Sequence, residues 1–320
     1  MAVTRGKPYI PRARYCYKLK PGIQEKQFEN EVYHLMRLKH PNIVRFLGYC
    51  YETQNECLNL SGTKYIFAEK QQRLLCLEYL SNGSLDGHLS ETRYKIIKGI
   101  CCAIHYLHEG CQSQINGSII HLDLKPANIL LDDNMVPKVA DFGLSRLFDE
   151  KKSQTWTTNL AGSFGYMAPE YIYKHVITTK ADIYSLGVII IEIIMGDRID
   201  PFSFDITSCQ DFVENVLESW RNRLNEATSE TDCEQIKCCL EVGLSCLKVD
   251  RNERPTSGEI IKILRWESTN RYANNVDRPP EGEVLFTYQK ISDGDSVSGR
   301  WRPNLFTRND FRSCLLTYVF

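Results

Sequence analysis

Hydrophobic positions recur at helical spacing in several parts of the chain. Apolar side chains return every three or four positions over residues 24–39 and 91–108, which predicts two amphipathic helices. Residues 211–224 and 232–247 show the same spacing. Val188 to Met195 is apolar almost throughout, which is typical of a helix that is buried on all sides.

Shorter apolar segments predict strands. Residues 43–49 and 73–80 have this character, and so do residues 129–131 and 137–140, which are joined by a turn at Asp132-Asp133-Asn134. The stretch from residue 51 to residue 72 is polar and too long for a usual hairpin loop. We therefore expect it to contain little strand.

Candidate chemistry lies on either side of the predicted hairpin. Asp123, Lys125 and Asn128 precede it, and Asp141 follows it, so the hairpin carries Asn128 and Asp141 to one end of a small sheet. A carboxylate can accept a proton from an attacking hydroxyl, and an ammonium can neutralise a phosphoryl oxygen. An amide oxygen and a second carboxylate suit Mg²⁺. The set indicates phosphoryl transfer, where catalysis is mostly positioning and charge neutralisation.

Five motifs, in order, carry a resemblance to eukaryotic protein kinases. They are the catalytic loop His121-Leu122-Asp123-Leu124-Lys125-Pro126-Ala127-Asn128, Asp141-Phe142-Gly143, Ala168-Pro169-Glu170, the start of a buried central helix at Asp182-Ile183-Tyr184-Ser185-Leu186-Gly187, and Glu253-Arg254-Pro255. Asn82-Gly83-Ser84-Leu85 and the residues around Ala168-Pro169-Glu170 resemble plant receptor-like serine/threonine kinases most. The resemblance covers about residues 20 to 268.

The resemblance implies an α+β, two-lobed kinase-like fold. Residues 21–80 would form an incomplete, β-rich N-lobe, and residues 81–268 a mainly helical C-lobe. Residues 1–20 do not match the family, and residues 269–320 predict a loosely ordered tail because they lack clear periodicity.

The resemblance also implies a role for each catalytic group. Asp123 would be the base that accepts the proton of the substrate hydroxyl. Lys125 would neutralise the transferring phosphate, and a lysine here is typical of serine/threonine specificity. Asn128 and Asp141 would hold Mg²⁺. Leu122 stands where the family usually has an arginine, and leucine cannot pair with a phosphorylated residue.

Nucleotide-binding and structural roles follow from the same resemblance. Leu77 would be the gatekeeper, and the backbone of Glu78, Tyr79 and Leu80 would bind the adenine of ATP, with Leu130 in the same site. The remaining assignments are structural: Glu31 as the ion-pairing helix glutamate, Glu170 as the partner of Arg254, and Asp182 as the acceptor of backbone hydrogen bonds from the catalytic loop.

The N-lobe departs from the family pattern. The sequence contains no G-x-G-x-x-G and no strand like V-A-I-K. The family's lysine would fall near Tyr15 or Cys16, and Lys18 and Lys20 are close but out of register, since a one-residue slip turns a strand side chain to the other face. We expect this segment to be a solvated basic linker. Because that lysine is missing, the alternative that Glu31 is an ordinary surface glutamate becomes more plausible.

Composition and charge narrow the class of partner and the location. The net charge of -1 argues against a nucleic-acid partner, and the thirteen cysteines read as free, mostly buried thiols of a reducing compartment. The sequence shows no signal peptide and no transmembrane segment. We expect a cytoplasmic protein that partners can bring to the plasma membrane: a soluble relative, a cytoplasmic fragment or an incomplete gene product.

Two functions therefore stay open. The first is a protein serine/threonine kinase that uses ATP and Mg²⁺ to phosphorylate a protein substrate, in receptor-kinase complexes. The second is a catalytically impaired pseudokinase or truncated scaffold that binds partners through the helical lobe. The complete set of catalytic groups favours the first, and the missing glycine loop and strand lysine favour the second.

Overall fold

The computed structural model describes residues 14–18, 25–59, 65–85, 93–111, 115–149, 153–201, 209–224 and 230–264. The chain divides into two units, Met1–Glu267 and Ser268–Phe320, and only the first contains described residues. Lys20 and the predicted tail at residues 269–320 lie outside the described residues.

The N-terminal part is a three-stranded antiparallel sheet with one helix packed on it. The strands are β1 (Arg14–Lys18), β2 (Phe46–Asn59) and β3 (Tyr65–Glu78), in the spatial order β1-β3-β2. Helix α1 (Glu25–Leu35) buries Phe28 and Val32 against Leu75 of β3. Both residues are apolar positions of the predicted helix. That helix was predicted to end at residue 39, and in the structure it ends four residues earlier, at Leu35.

The prediction that the N-terminal segment is a solvated linker is wrong for residues 14–18. Residues Arg14–Lys18 form a strand that pairs with β3 along its whole length, from Arg14 opposite Glu78 to Lys18 opposite Leu74. The aromatic residues of this segment favour strand, and pairing satisfies backbone groups at an edge of β3. Tyr15 lies opposite Leu77 and Cys16 opposite Cys76.

The expectation of little strand between residues 51 and 72 is also wrong. β2 and β3 continue as a two-stranded ribbon to the pair Asn59 and Tyr65. Side chains along this ribbon are largely exposed, including Tyr51 and Phe67. Alternation of apolar and polar residues marks a strand only where one face is buried, so a ribbon exposed on both faces leaves no such pattern.

The remainder of the described chain is mainly helical, with three small two-stranded sheets. Strand β4 (Gly117–Ile120) pairs with β7 (Arg146–Asp149), β5 (Ile129–Leu131) with β6 (Pro137–Val139), and β8 (Thr155–Trp156) with β9 (Val176–Ile177). The helices are α2 (Arg93–His105) with a π-helical turn at Tyr106–Gly110, α3 (Pro169–Lys174), α4 (Thr179–Met195), α5 (Cys209–Leu224), α6 (Glu230–Cys246) and a last helix at residues 257–264. The predicted α+β class is confirmed.

Helix α4 is the centre of the helical core. All its residues from Ala181 to Ile194 are buried, and its ends carry standard caps: the Thr178 side chain accepts from the Lys180 N–H, and Gly196 adopts φ 79°. α4 packs closely against α6 at Gly187. A Cβ on Gly187 would lie 2.7 Å from the Cβ of Cys246 and 2.8 Å from the carbonyl oxygen of Gly243, so a side chain there cannot fit without movement.

Of the cysteines whose side chains the structure describes, ten are free thiols, and six of these are buried: Cys76, Cys101, Cys111, Cys238, Cys239 and Cys246. Among the helices that the structure describes, none is long and apolar enough to span a bilayer.

Candidate active site

The predicted catalytic loop is fixed to the start of α4 by one buried carboxylate. The loop lies between β4 and β5, and Asp182 in the first turn of α4 accepts from the backbone N–H of His121 at 2.8 Å and of Leu122 at 2.9 Å. The Nε2 atom of His108 lies 3.0 Å from the same carboxylate. Leu122 adopts φ 68°, a left-handed conformation that is uncommon for leucine. Asp182 thus holds the backbone of the loop in a defined, locally unfavourable shape.

The side chains of Asp123, Lys125 and Ser163 contact one another pairwise and form a triangle of polar contacts. Lys125 Nζ is 2.8 Å from Asp123 Oδ2, and Ser163 Oγ donates to Asp123 Oδ1 at 2.7 Å. Lys125 Nζ also donates to Ser163 Oγ at 2.7 Å. Both carboxylate oxygens therefore have oriented partners, and an ammonium lies beside the group that could accept a proton.

The sequence analysis missed Ser163. The hydroxyl is forty positions from Asp123, so no local spacing connects the two. Its only signal is its place between Gly162 and Gly165, shortly before Ala168-Pro169-Glu170. Gly162 adopts φ 139°, and a Cβ there would lie 3.1 Å from the carbonyl oxygen of Leu122. A glycine at this point lets the segment pass close to the catalytic loop.

Asn128 joins Asp123 to the predicted metal site. Its Nδ2 donates to the carbonyl oxygen of Asp123 at 2.8 Å and to Asp123 Oδ2 at 3.1 Å. Because both neighbours are acceptors, the amide nitrogen must face them, and the amide oxygen points elsewhere. The Ala140 N–H donates to the Asn128 carbonyl at 2.9 Å, so the hairpin brings Asp141 next to Asn128, as its pattern predicted.

The groups at this end of the hairpin fit a magnesium ion. Asp141 is exposed, with φ 65°, and the two bonds from Asn128 Nδ2 to Asp123 fix the orientation of the Asn128 amide oxygen. Mg²⁺ is usually held by one or two carboxylates together with waters and substrate phosphates. A site with a single carboxylate and an amide matches this pattern. The described ranges contain no group of three or more His, Cys, Asp or Glu side chains arranged for a metal.

Phe142 and His121 are packing residues. Phe142 is fully buried, and its ring centroid lies 4.9 Å from that of His121. The Nε2 atom of His121 is 3.0 Å from the carbonyl oxygen of Ala140, which requires the imidazole to donate there. The pair connects the catalytic loop to the segment that carries Asp141.

The predicted adenine-binding segment, residues 78–80, here called the hinge, is held in place by hydrogen bonds and an ion pair. The Glu78 N–H donates to the Arg45 carbonyl at 3.0 Å, and the Glu78 carboxylate accepts from the Arg45 N–H at 2.9 Å and contacts Lys138 Nζ at 3.1 Å. The Leu80 carbonyl accepts from the Gly83 N–H at 3.2 Å. The hinge is thereby fixed to β6, and its free backbone groups are fewer than the sequence analysis assumed.

Other predicted nucleotide residues lie beside this hinge. Leu77 and Leu80 are buried, and Tyr79 is 44% exposed. Leu130 is half-buried and forms a β-bridge with Ser84, just after the hinge. The structure therefore brings Leu130 to the hinge segment.

Glu31 is buried, with 2% of its surface exposed, so a surface position for it is wrong. It lies on α1, between the buried Phe28 and Leu35. A carboxylate removed from water in this way needs polar or charged partners.

Glu170 and Arg254 lie in contact. Two parallel hydrogen bonds join them, from Arg254 Nη1 to Glu170 Oε1 at 2.8 Å and from Nη2 to Oε2 at 2.7 Å. Glu170 is in the first turn of α3, and Arg254 follows a 3₁₀ turn at Arg251–Glu253. The pair thus connects two segments that are far apart in sequence.

Comparison with known proteins decides the family. The family model for the protein kinase domain matches residues 16–264, which is most of the chain. The chain belongs to the protein kinase family. The matched range begins within β1, so this kinase's β1 is part of the family domain.

The similar proteins are plant receptor-like kinases. The chain is 34% identical over 299 residues to cysteine-rich receptor-like protein kinase 41 of Arabidopsis thaliana, covering 88% of this chain and 40% of that protein. It is 34% identical over 306 residues to cysteine-rich receptor-like protein kinase 44 of the same plant, covering 91% and 73%. A G-type lectin S-receptor-like serine/threonine-protein kinase of Arabidopsis thaliana is 36% identical over 272 residues, covering 80% and 29%. The chain thus spans about 40% of the length of the first of these relatives.

Proposed function

We propose that this kinase chain transfers the γ-phosphoryl group of ATP to serine or threonine hydroxyls of proteins. The observation that carries the proposal is the triangle of Asp123, Lys125 and Ser163. A carboxylate held by two oriented donors can accept the proton of an incoming hydroxyl, and the adjacent ammonium can neutralise charge on the transferring group.

Each remaining part of the site has a place in this reaction. Asp123 receives the proton of the substrate hydroxyl while that oxygen attacks phosphorus. Asn128 and Asp141 would hold Mg²⁺, which when bound neutralises charge on the nucleotide phosphates. The backbone of residues 78–80 would bind adenine beside Leu130. Because the carbonyl of Leu80 is already paired with Gly83, the Leu80 N–H is the group that we assign to the nucleotide.

Turnover should be slow compared with a kinase that has every phosphate-binding group. This sequence contains no G-x-G-x-x-G, and the positions expected for the family's lysine hold Tyr15 and Cys16, opposite Leu77 and Cys76, while Lys18 lies two residues further along β1, opposite Leu74. Loss of one preorganised donor typically lowers the rate about 10²–10³-fold. Two such losses leave a small fraction of the usual rate.

The missing glycine-rich loop and the absence of a lysine at Tyr15 and Cys16 favour a second candidate function. A kinase domain that cannot stabilise the phosphates can still bind partners through its helical lobe. In this case the chain is a catalytically impaired scaffold. Under either function, we place it in the cytoplasm with protein partners, in receptor-kinase complexes that hold it at the plasma membrane. The support is that the similar proteins are named receptor-like kinases.

Radiolabelled phosphate transfer separates the two functions. The purified chain is assayed on a generic serine/threonine protein substrate beside Asp123→Asn, with Asp149→Asn as a control because Asp149 is an exposed aspartate. A chimera with the complete N-lobe of a relative gives the rate of an intact site. The kinase proposal requires transfer that Asp123→Asn abolishes and Asp149→Asn preserves. Transfer by the chimera alone would support the scaffold, and equal transfer by Asp123→Asn would contradict the role of Asp123.

A further inference from the structure

Helix α1 contacts the segment after Asp141 through the side chain of Asn30. The Nδ2 atom of Asn30 lies 3.2 Å from the carbonyl oxygen of Phe142, 3.1 Å from that of Gly143 and 2.8 Å from that of Ser145. These carbonyls belong to a tight turn, closed by a bond from the Ser145 N–H to the Phe142 carbonyl at 3.1 Å. An amide nitrogen with two hydrogens is well suited to bridge such a group of acceptors.

His34, one helical turn further on, contacts the same turn. Its Nδ1 atom lies 2.6 Å from Ser145 Oγ, and Ser145 Oγ donates to the Phe142 carbonyl at 2.6 Å. Because the hydroxyl has one hydrogen and it points to Phe142, His34 must be the donor in the other bond. Burial, with smaller contributions from Arg37 and Arg146, lowers the pKa of His34 to about 4, so the neutral form is present near pH 7.

The turn determines where Asp141 can lie. Phe142 is fully buried directly after Asp141, and Ala140, directly before it, is bonded to Asn128. Asp141 itself is exposed and adopts φ 65°, a left-handed conformation that is uncommon among residues other than glycine, although aspartate tolerates it better than most. Asp141 is therefore held on both sides, by the bond of Ala140 to Asn128 and by the turn that begins at Phe142. Asn30 and His34 hold that turn.

We propose that Asn30 and His34 are positioning residues that keep Asp141 oriented to bind the divalent cation accompanying a nucleotide. The inference rests on the proposed function, since it concerns the cation of that site. It uses the contacts of α1 with the turn after Asp141, which are three backbone carbonyls for Asn30 and the Ser145 hydroxyl for His34. The proposed role of Asn30 and His34 therefore does not depend on a lysine at Tyr15 or Cys16, the positions expected for the family's lysine.

Substitutions of matched shape test the contacts. Asn30→Asp puts carboxylate oxygens against three carbonyl oxygens without changing size, and Glu29→Gln makes the reverse exchange at the exposed neighbouring position. His34→Leu removes the N–H, whereas His34→Asn keeps a donor close to the place of Nδ1. Melting curves of all four variants verify that each folds cooperatively.

The primary measurement is the Mg²⁺ concentration that half-saturates ATP binding to the full chain, obtained by calorimetry. We expect Asn30→Asp and His34→Leu to raise it about tenfold, the effect of losing roughly one buried hydrogen bond. ATP binding without Mg²⁺ should change less than about twofold, the difference that one weak contact makes. Glu29→Gln and His34→Asn should match the wild type. An unchanged Mg²⁺ requirement in Asn30→Asp and His34→Leu would overturn the inference while leaving the proposed function intact.

Hydrogen exchange provides a second reading that needs no nucleotide. The Ser145 amide is bonded within the turn, and it should exchange faster in Asn30→Asp and His34→Leu than in their matched controls. Unchanged exchange in both variants would also overturn the inference. A wild-type chain whose ATP binding is independent of Mg²⁺ would instead contradict the proposed function, so the two failures are distinguishable.

Discussion

Arg254 meets Glu170 in a bidentate ion pair, and it uses its remaining donors on three backbone carbonyls. The guanidinium donates to the carbonyl oxygens of Lys248 at 2.7 Å, Lys180 at 2.9 Å and Val249 at 3.2 Å, besides the two bonds to the carboxylate. Only 2% of Arg254 is exposed. One buried side chain thus joins α3, the start of α4 and the segment after α6.

Removing this guanidinium should destabilise the fold strongly. Arg254→Ala leaves Glu170 charged and unpaired in the interior, which typically costs about 3–5 kcal/mol. Arg254→Lys keeps the charge but cannot make the planar two-bond contact, so it should recover only part of the loss. Equilibrium denaturation gives both values, with the exposed Lys262→Ala as the control. A decrease in unfolding free energy no larger than the control's would show that the pair is not a main support of the fold.

The close contact of α4 and α6 leads to a second prediction. Gly187→Ala forces a methyl group to within 2.7 Å of the Cys246 Cβ and 2.8 Å of the Gly243 carbonyl oxygen, so the helices must separate. We expect a loss of about 1–3 kcal/mol in unfolding free energy, although alanine is the better helix former. The control is Gly258→Ala, where the nearest atom is the movable Glu109 carboxylate at 3.1 Å. Equal stability of Gly187→Ala and wild type would contradict the close packing.

The place of residues 121–128 in the fold could be predicted because they belong to short motifs at fixed spacing. Asp123, Asn128 and Asp141 are joined by a hairpin whose pattern was visible, and the apolar run of α4 indicated a buried helix. Motif spacing and apolar periodicity of this kind depend only on neighbouring residues, so they indicate the local structure of a segment without knowledge of distant contacts.

Features that depend on distant contacts could not be predicted in the same way. Arg14–Lys18 becomes a strand only because β3 offers an edge, and the ribbon of β2 and β3 has no buried face to create alternation. Ser163 reaches Asp123, and Asn30 reaches Ser145, across long sequence separations. Propensity and periodicity contain no information about which distant side chain completes a contact.

The buried histidine on α1 should make stability depend on pH. His34 has a pKa of about 4 in the folded protein against an ordinary value of 6.5, because burial disfavours its charged form. Between these two pH values the unfolded chain binds more protons than the folded one. The contribution of His34 is therefore complete above pH 6.5 and is lost as pH falls towards 4, with a total of about 3 kcal/mol.

Unfolding free energies of wild type and His34→Asn, measured from pH 7 to pH 4.5, test this. The wild type should lose more stability than the variant across that range, so the difference between the two unfolding free energies should change with pH. His40 also has a pKa lowered to about 4, mainly by burial, but it is present in both proteins and cancels in the difference. Parallel curves would mean that His34 does not titrate as its surroundings indicate.

The last prediction concerns the hydroxyl between the proposed base and the ammonium. Ser163 Oγ donates to Asp123 Oδ1 and accepts from Lys125 Nζ, so it orients the carboxylate and holds the ammonium beside it. In Ser163→Ala both partners remain but lose this fixed geometry. A misplaced base or cation affects the transition state more than the bound nucleotide, so kcat should fall about 10–100-fold while KM for ATP stays nearly constant.

Ser163→Thr keeps the hydroxyl and should preserve most of kcat, whereas Ser153→Ala, at an exposed serine, should match the wild type. Steady-state phosphate transfer by the four proteins provides both constants. A wild-type kcat in Ser163→Ala would show that Asp123 and Lys125 are oriented without the hydroxyl. A rise in KM for ATP at constant kcat would place Ser163 in nucleotide binding instead. Loss of folded protein would also lower the apparent kcat without changing KM, so the melting curves of Ser163→Ala and Ser163→Thr must match that of the wild type before the lower kcat identifies Ser163 as a positioning residue.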